Sequence, residues 1–332
     1  MTEPQLKEKF LEDVKTFAYE TIYIKANLFE EQESMPKSFI DELGERGYLG
    51  VNISKEYGGS GYDPLTYGRF IEEIGKACCA TRTLVTVHCS LVGEALMRWG
   101  DESQKEKYLR DMVKGKRIGA FALSEPEVGS NASGIQTSYQ KSGDNFIING
   151  TKKWISFAGI ADFYIVIAQN NGKATAFIVD SNTDGITVSP IKGMLAGRAT
   201  HIAQIEFNNV EVSKEGILGK EEMGFNYVVN TALDHGRYCV AWSGVGLAQA
   251  ALEEIVKYSR KRTQFEQKIS KFQYIQGMIA DATTDIHAAR ALCTKAGELR
   301  AINNPDSVIE TTIAKYFSSK IAMKASIDAV QV

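Results

Sequence analysis

Cysteine and histidine are scarce in this 332-residue chain, with five and four copies, and they are scattered. No pair has CxxC spacing and no HExxH occurs, so the ligand patterns of a zinc site are missing. The cysteine count is odd and Cys78 and Cys79 are adjacent, which argues against a disulfide framework and for reduced thiols in the cytoplasm. An excess of one charge is also lacking. A net charge of -3 leaves no basic footprint for nucleic acid. No apolar run reaches the ~18–20 residues that span a bilayer. The opening MTEPQLKEKF is polar and mixed in charge, unlike a secretory leader. Of the six prolines, none falls between 191 and 304, which leaves that stretch open to long helices.

What is present is ample apolar surface. With 44% apolar and 24% charged residues, the chain has the balance of an ordinary globular protein and disorder is excluded. At roughly 100–200 residues per domain, two or three domains are expected. Residues 1–119 read as an N-terminal α-helical domain. Pro36 fits a helix start, and PLTYGRFIEEIGKACCA and TRTLVTVHCSLVGEALMRWG carry apolar residues at three-to-four spacing. Residues 120–219 change period and read as a middle antiparallel β domain. There FIINGTKKWI predicts a hairpin turning at Asn149-Gly150, and DFYIVIAQNNGKATAFIVD one around Asn170-Asn171-Gly172. Helical periodicity returns over 220–332, predicting a bundle of long helices and an α+β fold overall.

Nucleotide motifs mostly fail. No GxxxxGK[ST] exists, and Gly244-Val245-Gly246 lacks a third glycine and lies in a helical stretch, which favours close helix packing. FALSEPEVGSN at 121–131 is a better candidate. A strand end followed by hydroxyls and exposed amides suits a phosphate or a heterocycle edge, while a plain turn, with Glu125 serving local backbone donors, is the simpler reading. Trp154 fits either the core or a face stacked on a planar cofactor, and Ser156 either a cap or a site. Arg260, Lys261 and Arg262 precede Thr263-Gln264-Phe265, as a solvated helix end or a phosphate contact. The Cys78-Cys79 and His88-Cys89 pairs and His287 read as packing.

Together these segments resemble the acyl-CoA dehydrogenase family, along essentially the whole chain. FALSEPEVGSNASG is similar to its first signature, NGTKKWIS to its flavin-stacking strand, RTQFEQKISKFQYIQGMIAD to the helix reaching a neighbouring subunit's cofactor, and AVQV to the start of its last signature. The resemblance implies an FAD-dependent dehydrogenase. Phe121, Leu123 and Ser124 would line the flavin pyrimidine edge, Gly129 and Ser130 would lie by the pyrophosphate, and Ser130 also by the thioester. Trp154 would pack on the isoalloxazine, with Ser156 near its reactive edge. Arg262, Phe265, Gln273 and Gln331 would reach FAD from a second copy, implying a homodimer or homotetramer. Asp234 and Arg237, in LDHGR, would sit near the acyl thioester. An electron-transfer partner would reoxidise the flavin.

Three departures stand out. Asn131 replaces the signature's aspartate, and Glu266 the glycine after Phe265. The base that removes the α-proton is a glutamate at one of two positions in the family. Gly236 occupies one, and the other lies beyond Val332, so the expectation is that the last domain is incomplete and the base falls outside this chain. LDHGRYCVAWSGVGLAQAAL, KKWISFAGIAD and ETTIAKYFSSKIA are most similar to dehydrogenases of polyketide and hybrid peptide pathways, which act on acyl groups tethered to an acyl carrier protein and make hydroxy-, methoxy- or aminomalonyl units. The expected function is oxidation of a small carrier-bound acyl thioester. The alternatives are a catabolic short-chain acyl-CoA dehydrogenase, a related two-component flavin monooxygenase, and a non-catalytic binding protein.

Overall fold

The computed structural model describes residues 2–332, and their contacts gather into two units. The first unit joins the segment through Ala26 to Tyr62–Arg82 and Arg237–Val332. It is helical. Pro64–Ala77 starts sharply because Asp63 accepts from the Leu65 and Thr66 amides at 3.0 and 3.1 Å, with Pro64 in the first helical position, where its missing N–H costs nothing. The long helices Asn230–Ser259 and Gln273–Ala301 lie in the proline-free stretch, and Ser307–Gln331 starts just after Pro305. Gly244 and Gly246, on the helix Asn230–Ser259, settle as packing glycines. A Cβ on Gly246 would lie 2.3 Å from the Glu72 carbonyl oxygen, and one on Gly244 2.9 Å from Ser318.

The second unit covers Asn27–Gly61 and Thr83–Gly236 and contains an eight-stranded sheet. Its strands are β1 (Gly119–Ala122), β2 (Ser138–Ser142), β3 (Asn145–Ile155), β4 (Phe163–Asn170), β5 (Lys173–Asp180), β6 (Ile186–Pro190), β7 (Ala203–Ser213) and β8 (Ile217–Leu218). The order is β6-β7-β3-β2-β4-β5-β8, with β1 beside β4. Most pairs are antiparallel, but β4 pairs in parallel with both β1 and β2. Strand alternation splits β1 between two cores. Phe121 joins Leu123 in a cluster with Val92, Leu96 and Ala232, while Ala120 and Ala122 face Tyr164 and Phe177.

The two predicted hairpins fare differently. Asn171 and Gly172 have φ of 52 and 78° and turn β4 into β5, as two left-handed residues should. Asn149-Gly150 is no turn. β3 runs straight through it, and the chain reverses earlier, after Ser142. The same sequence signal serves another need here. Gly150, at φ 148°, sits beside a register shift, and a Cβ there would lie 2.6 Å from Thr137 Cα. Two packing expectations are also corrected. Cys79 is exposed although Cys78 is buried, because Cys78 is the extended residue between two helices and Cys79 opens the second; His287 lies on the open face of its helix, about 100° round from buried Ile286. His88 and Cys89 are fully buried as expected. Among the described residues no helix is long and apolar enough to cross a membrane.

Candidate functional site

The site grows from the end of β1. Ser124 follows the buried pair Phe121 and Leu123 and is half-buried. Its carbonyl accepts from the Lys153 amide of β3 at 2.9 Å. The next four residues close on themselves. Glu125 and Val128 exchange backbone hydrogen bonds of 3.0 and 3.2 Å around Pro126-Glu127. Gly129 and Ser130 then emerge exposed, and a Cβ on Gly129 would meet nothing within 4 Å.

This loop is held from beneath by two buried charges. Lys152 Nζ donates to Glu125 Oε1 at 2.8 Å and to the Leu123 carbonyl at 3.0 Å. The Glu125 carboxylate also accepts from the Gln136 and Thr137 amides at 2.7 and 3.0 Å. Glu125 thus serves local backbone donors, as the simple turn reading expects, but it also takes a lysine with no exposed surface. Burial raises the Glu125 carboxyl, yet Lys152 and the amides outweigh it and hold the group below its ordinary value. Burial pushes the Lys152 ammonium down to about 8, against the pull of Glu125. Sequence reasoning passed over Lys152. Its signal was parity: Phe146, Ile148 and Lys152 share the inward face of β3.

Trp154 follows from a break in that parity. Lys152 pairs with Ile205 but Ile155 with Ala203, so β3 carries one extra residue. The bulge puts Ile155 on the inner face and turns Trp154 outward, 51% exposed, at φ 64°. A left-handed tryptophan is costly, and such strain collects where function needs it. The alternative of a core tryptophan is therefore excluded. Ser156, half-buried, sits in the turn beyond, which is stitched down by the Phe157 amide to the Thr200 carbonyl at 2.8 Å.

Asp234 and Gly236 lie in the same unit, on the helix entered from the π-helical segment Phe225–Val229. Asp234 is half-buried. Gly236 is buried, and a Cβ there would lie 3.0 Å from Leu91 Cδ1. Arg237 opens the first unit's share of that helix and is exposed.

The remaining residues all belong to the first unit. Arg262, Phe265, Gln273 and Gln331 are exposed, Phe265 to 86%. Thr263-Gln264 and Gln267-Lys268 form a small hairpin with Phe265 and Glu266 at its tip, and the Phe265 ring meets Phe272 edge-on at 6.1 Å, beside Gln273. Gln331 lies at the same end of the helix pair, since Lys324 reaches back to Asp281 at 3.5 Å. The tip explains one departure. Phe265 and Glu266 have φ of 50 and 65°, and the second is a natural glycine position. Glu266→Gly is expected to stabilise the protein by about 1 kcal/mol, read as a higher urea midpoint at unchanged slope.

An outward-turned indole, an open glycine-serine turn, hydroxyls at Ser124 and Ser156 and a strand end fixed from below suit a flat, phosphate-bearing cofactor, so these residues fit FAD. Comparison with known proteins agrees. The chain matches the acyl-CoA dehydrogenase N-terminal domain over residues 4–116, the middle domain over 120–210 and the C-terminal domain over 222–332. It is 34% identical to a short-chain specific acyl-CoA dehydrogenase of Clostridium acetobutylicum, over 96% of this chain and 85% of that one. It superposes on butyryl-CoA dehydrogenase from Megasphaera elsdenii with a TM-score of 0.94 and 34% identity, covering 100% of this chain and 88% of the other. On the prolyl acyl carrier protein oxidase AnaB the TM-score is 0.92 and the identity 26%, covering 98% and 88%. By sequence and by fold, the chain belongs to the acyl-CoA dehydrogenase family of FAD-dependent oxidoreductases.

Proposed function

We propose that the protein dehydrogenates short acyl groups between Cα and Cβ while they are bound as coenzyme A thioesters. The observation that carries this is Trp154, turned out of its own sheet beside a strand end that a buried ion pair fixes. When bound, FAD supplies the acceptor for the β-hydride. The chain's own residues do the rest. Trp154 offers a face for the ring system, and the Ser124 hydroxyl donates to its polar edge. Gly129 and Ser130 lie open for phosphate, and Arg262, Phe265, Gln273 and Gln331 act on the cofactor of a second copy. Asp234 and Arg237 flank the thioester, whose carbonyl must accept hydrogen bonds to make the α-proton acidic. Gly236 carries no side chain to act as base.

The short-chain and butyryl-CoA relatives support coenzyme A over the carrier-protein substrate expected from the sequence. The likeness to AnaB is the one observation favouring a carrier-bound acyl group. An electron-transfer partner would return the flavin to its oxidised form. The purified protein is expected to take up FAD, and butyryl-CoA is expected to perturb the flavin spectrum. A colourless protein that binds no FAD would overturn the proposal. A spectrum moved only by a carrier-bound acyl group would move the substrate from coenzyme A to the carrier.

A further inference from the structure

An open-sided cavity of about 240 Å³ lies wholly within the first unit. Three helical stretches line it: Glu3–Phe17 with its continuation, Pro64–Ala77 and Asn230–Ser259. One wall is aromatic. Tyr19 lies in the π-helical turn Ala18–Ile22, and Tyr23 directly follows it. The wider i→i+5 turn sets residues four apart nearly in line, and such turns are rare and gather at functional sites. The two rings stack, 5.9 Å apart and 7° from parallel. Both stay open to solvent, Tyr19 to 67% and Tyr23 to 48%. The remaining uncharged lining residues are alanines, which leave room for a side chain.

The charges around the cavity are unevenly spent. Three lysines and three glutamates line it. Lys76 pairs with Glu253 at 2.6 Å and Lys257 with Glu254 at 3.0 Å. That leaves one charge of each sign. Among the described residues, neither the Lys15 nor the Glu73 side chain has a hydrogen-bond or ion-pair partner, though both line the same space. Glu73 is half-buried, and burial lifts its carboxyl above the ordinary value. Such a carboxylate gains from a cation that reaches it. Lys15, exposed on the first helix, offers the matching contact for an anion. A simple cation would satisfy Glu73 and be repelled by Lys15, and a simple anion the reverse. A molecule carrying both charges answers both and adds no net charge to a balanced lining. An ammonium group also gains from tyrosine faces, and an apolar side chain from their area. We infer that the cavity binds a small zwitterion of the free amino acid class, its ammonium at Glu73, its carboxylate at Lys15 and its apolar side chain on Tyr19 and Tyr23.

Saturation-transfer NMR titrations of the FAD-loaded protein test this with three molecules that differ by one charge at a time. L-Phenylalanine carries both groups, phenethylamine only the ammonium and 3-phenylpropionate only the carboxylate. L-Phenylalanine is expected to bind with a Kd of about 1 mM, in keeping with its small size. It should bind about tenfold more tightly than either analogue, the worth of one charge-assisted hydrogen bond. Glu73→Gln is expected to bring phenylalanine down to the affinity of 3-phenylpropionate, and Lys15→Gln to that of phenethylamine. Tyr19→Ala should weaken all three alike, by about threefold. Urea midpoints show that the variants are folded. Lys15 is exposed, so its variant carries the test even if Glu73→Gln unfolds. Phenylalanine that binds no more tightly than its analogues overturns the inference, as does an advantage that survives Lys15→Gln. So does the absence of any transfer to phenylalanine at about ten times the expected Kd.

Discussion

Replacing Lys152 with methionine is expected to destabilise the protein by about 3–5 kcal/mol, because the Glu125 carboxylate would stay buried with its cation gone. Methionine matches the length of the stem, so the loss reports charge and not volume. The two amides from Gln136 and Thr137 would remain on Glu125 but cannot neutralise it. Adding Glu125→Gln should recover part of the loss, since no charge is then stranded. Urea melts of the single and double variants measure both steps. A single variant that melts like the unaltered protein would show that the pair contributes nothing. The acid limb gives a second readout. Glu125 is held below its ordinary 4.5, so its contribution is complete above about 4.5 and fades as the pH falls through the lowered value. Lys152 acts in the other sense. Between about 8 and 10.5 the unfolded chain keeps a proton that the folded chain has lost, so the penalty on this group shrinks as the pH rises. The double variant should lose both slopes.

Trp154→Gly is expected to move two quantities in opposite directions. At φ 64° a tryptophan sits where glycine is at ease, and half of its surface faces solvent. Removing it should raise the stability of the FAD-free protein by about 1 kcal/mol. FAD affinity should fall about thirtyfold, corresponding to about 2 kcal/mol for loss of an aromatic anchor. Chemical denaturation without cofactor and a fluorescence titration with FAD read the two effects separately. A structural tryptophan would instead show lost stability with unchanged FAD binding, and that result would sink the stacking role.

The contrast between Asn149-Gly150 and Asn171-Gly172 shows how far local signals reach. Both dipeptides tolerate left-handed backbone, and the sequence marks both as turns. Only Asn171-Gly172 turns the chain, because there the flanking runs pair with each other in register from Phe163↔Asp180 to Asn170↔Lys173. Asn149-Gly150 lies within a strand whose partner is β7, a segment more than fifty residues away, and its glycine answers the close approach of Thr137. Glu266 is the reverse case. Its place in the turn was visible as a missing glycine, and the positive φ gives the reason.

Composition and period by themselves determined the order of helices, strands and helices and the absence of a membrane-length apolar run, while the segments from which the site is drawn came from their resemblance to the family's motifs. Those properties depend on residues close in sequence, where hydrophobic period and turn chemistry act directly. The tertiary structure alone decided which way Trp154 faces, that Lys152 lies beneath the loop at Glu125, and that Glu94 meets His235. Each of these is set by a bulge or by contacts between segments distant in sequence, and one extra residue in β3 is enough to exchange the inner and outer faces. The scarce histidines show the same division. Their number was legible from the start, but only folding brings His235 within 3.3 Å of Glu94, whose carboxylate also accepts from Asn52.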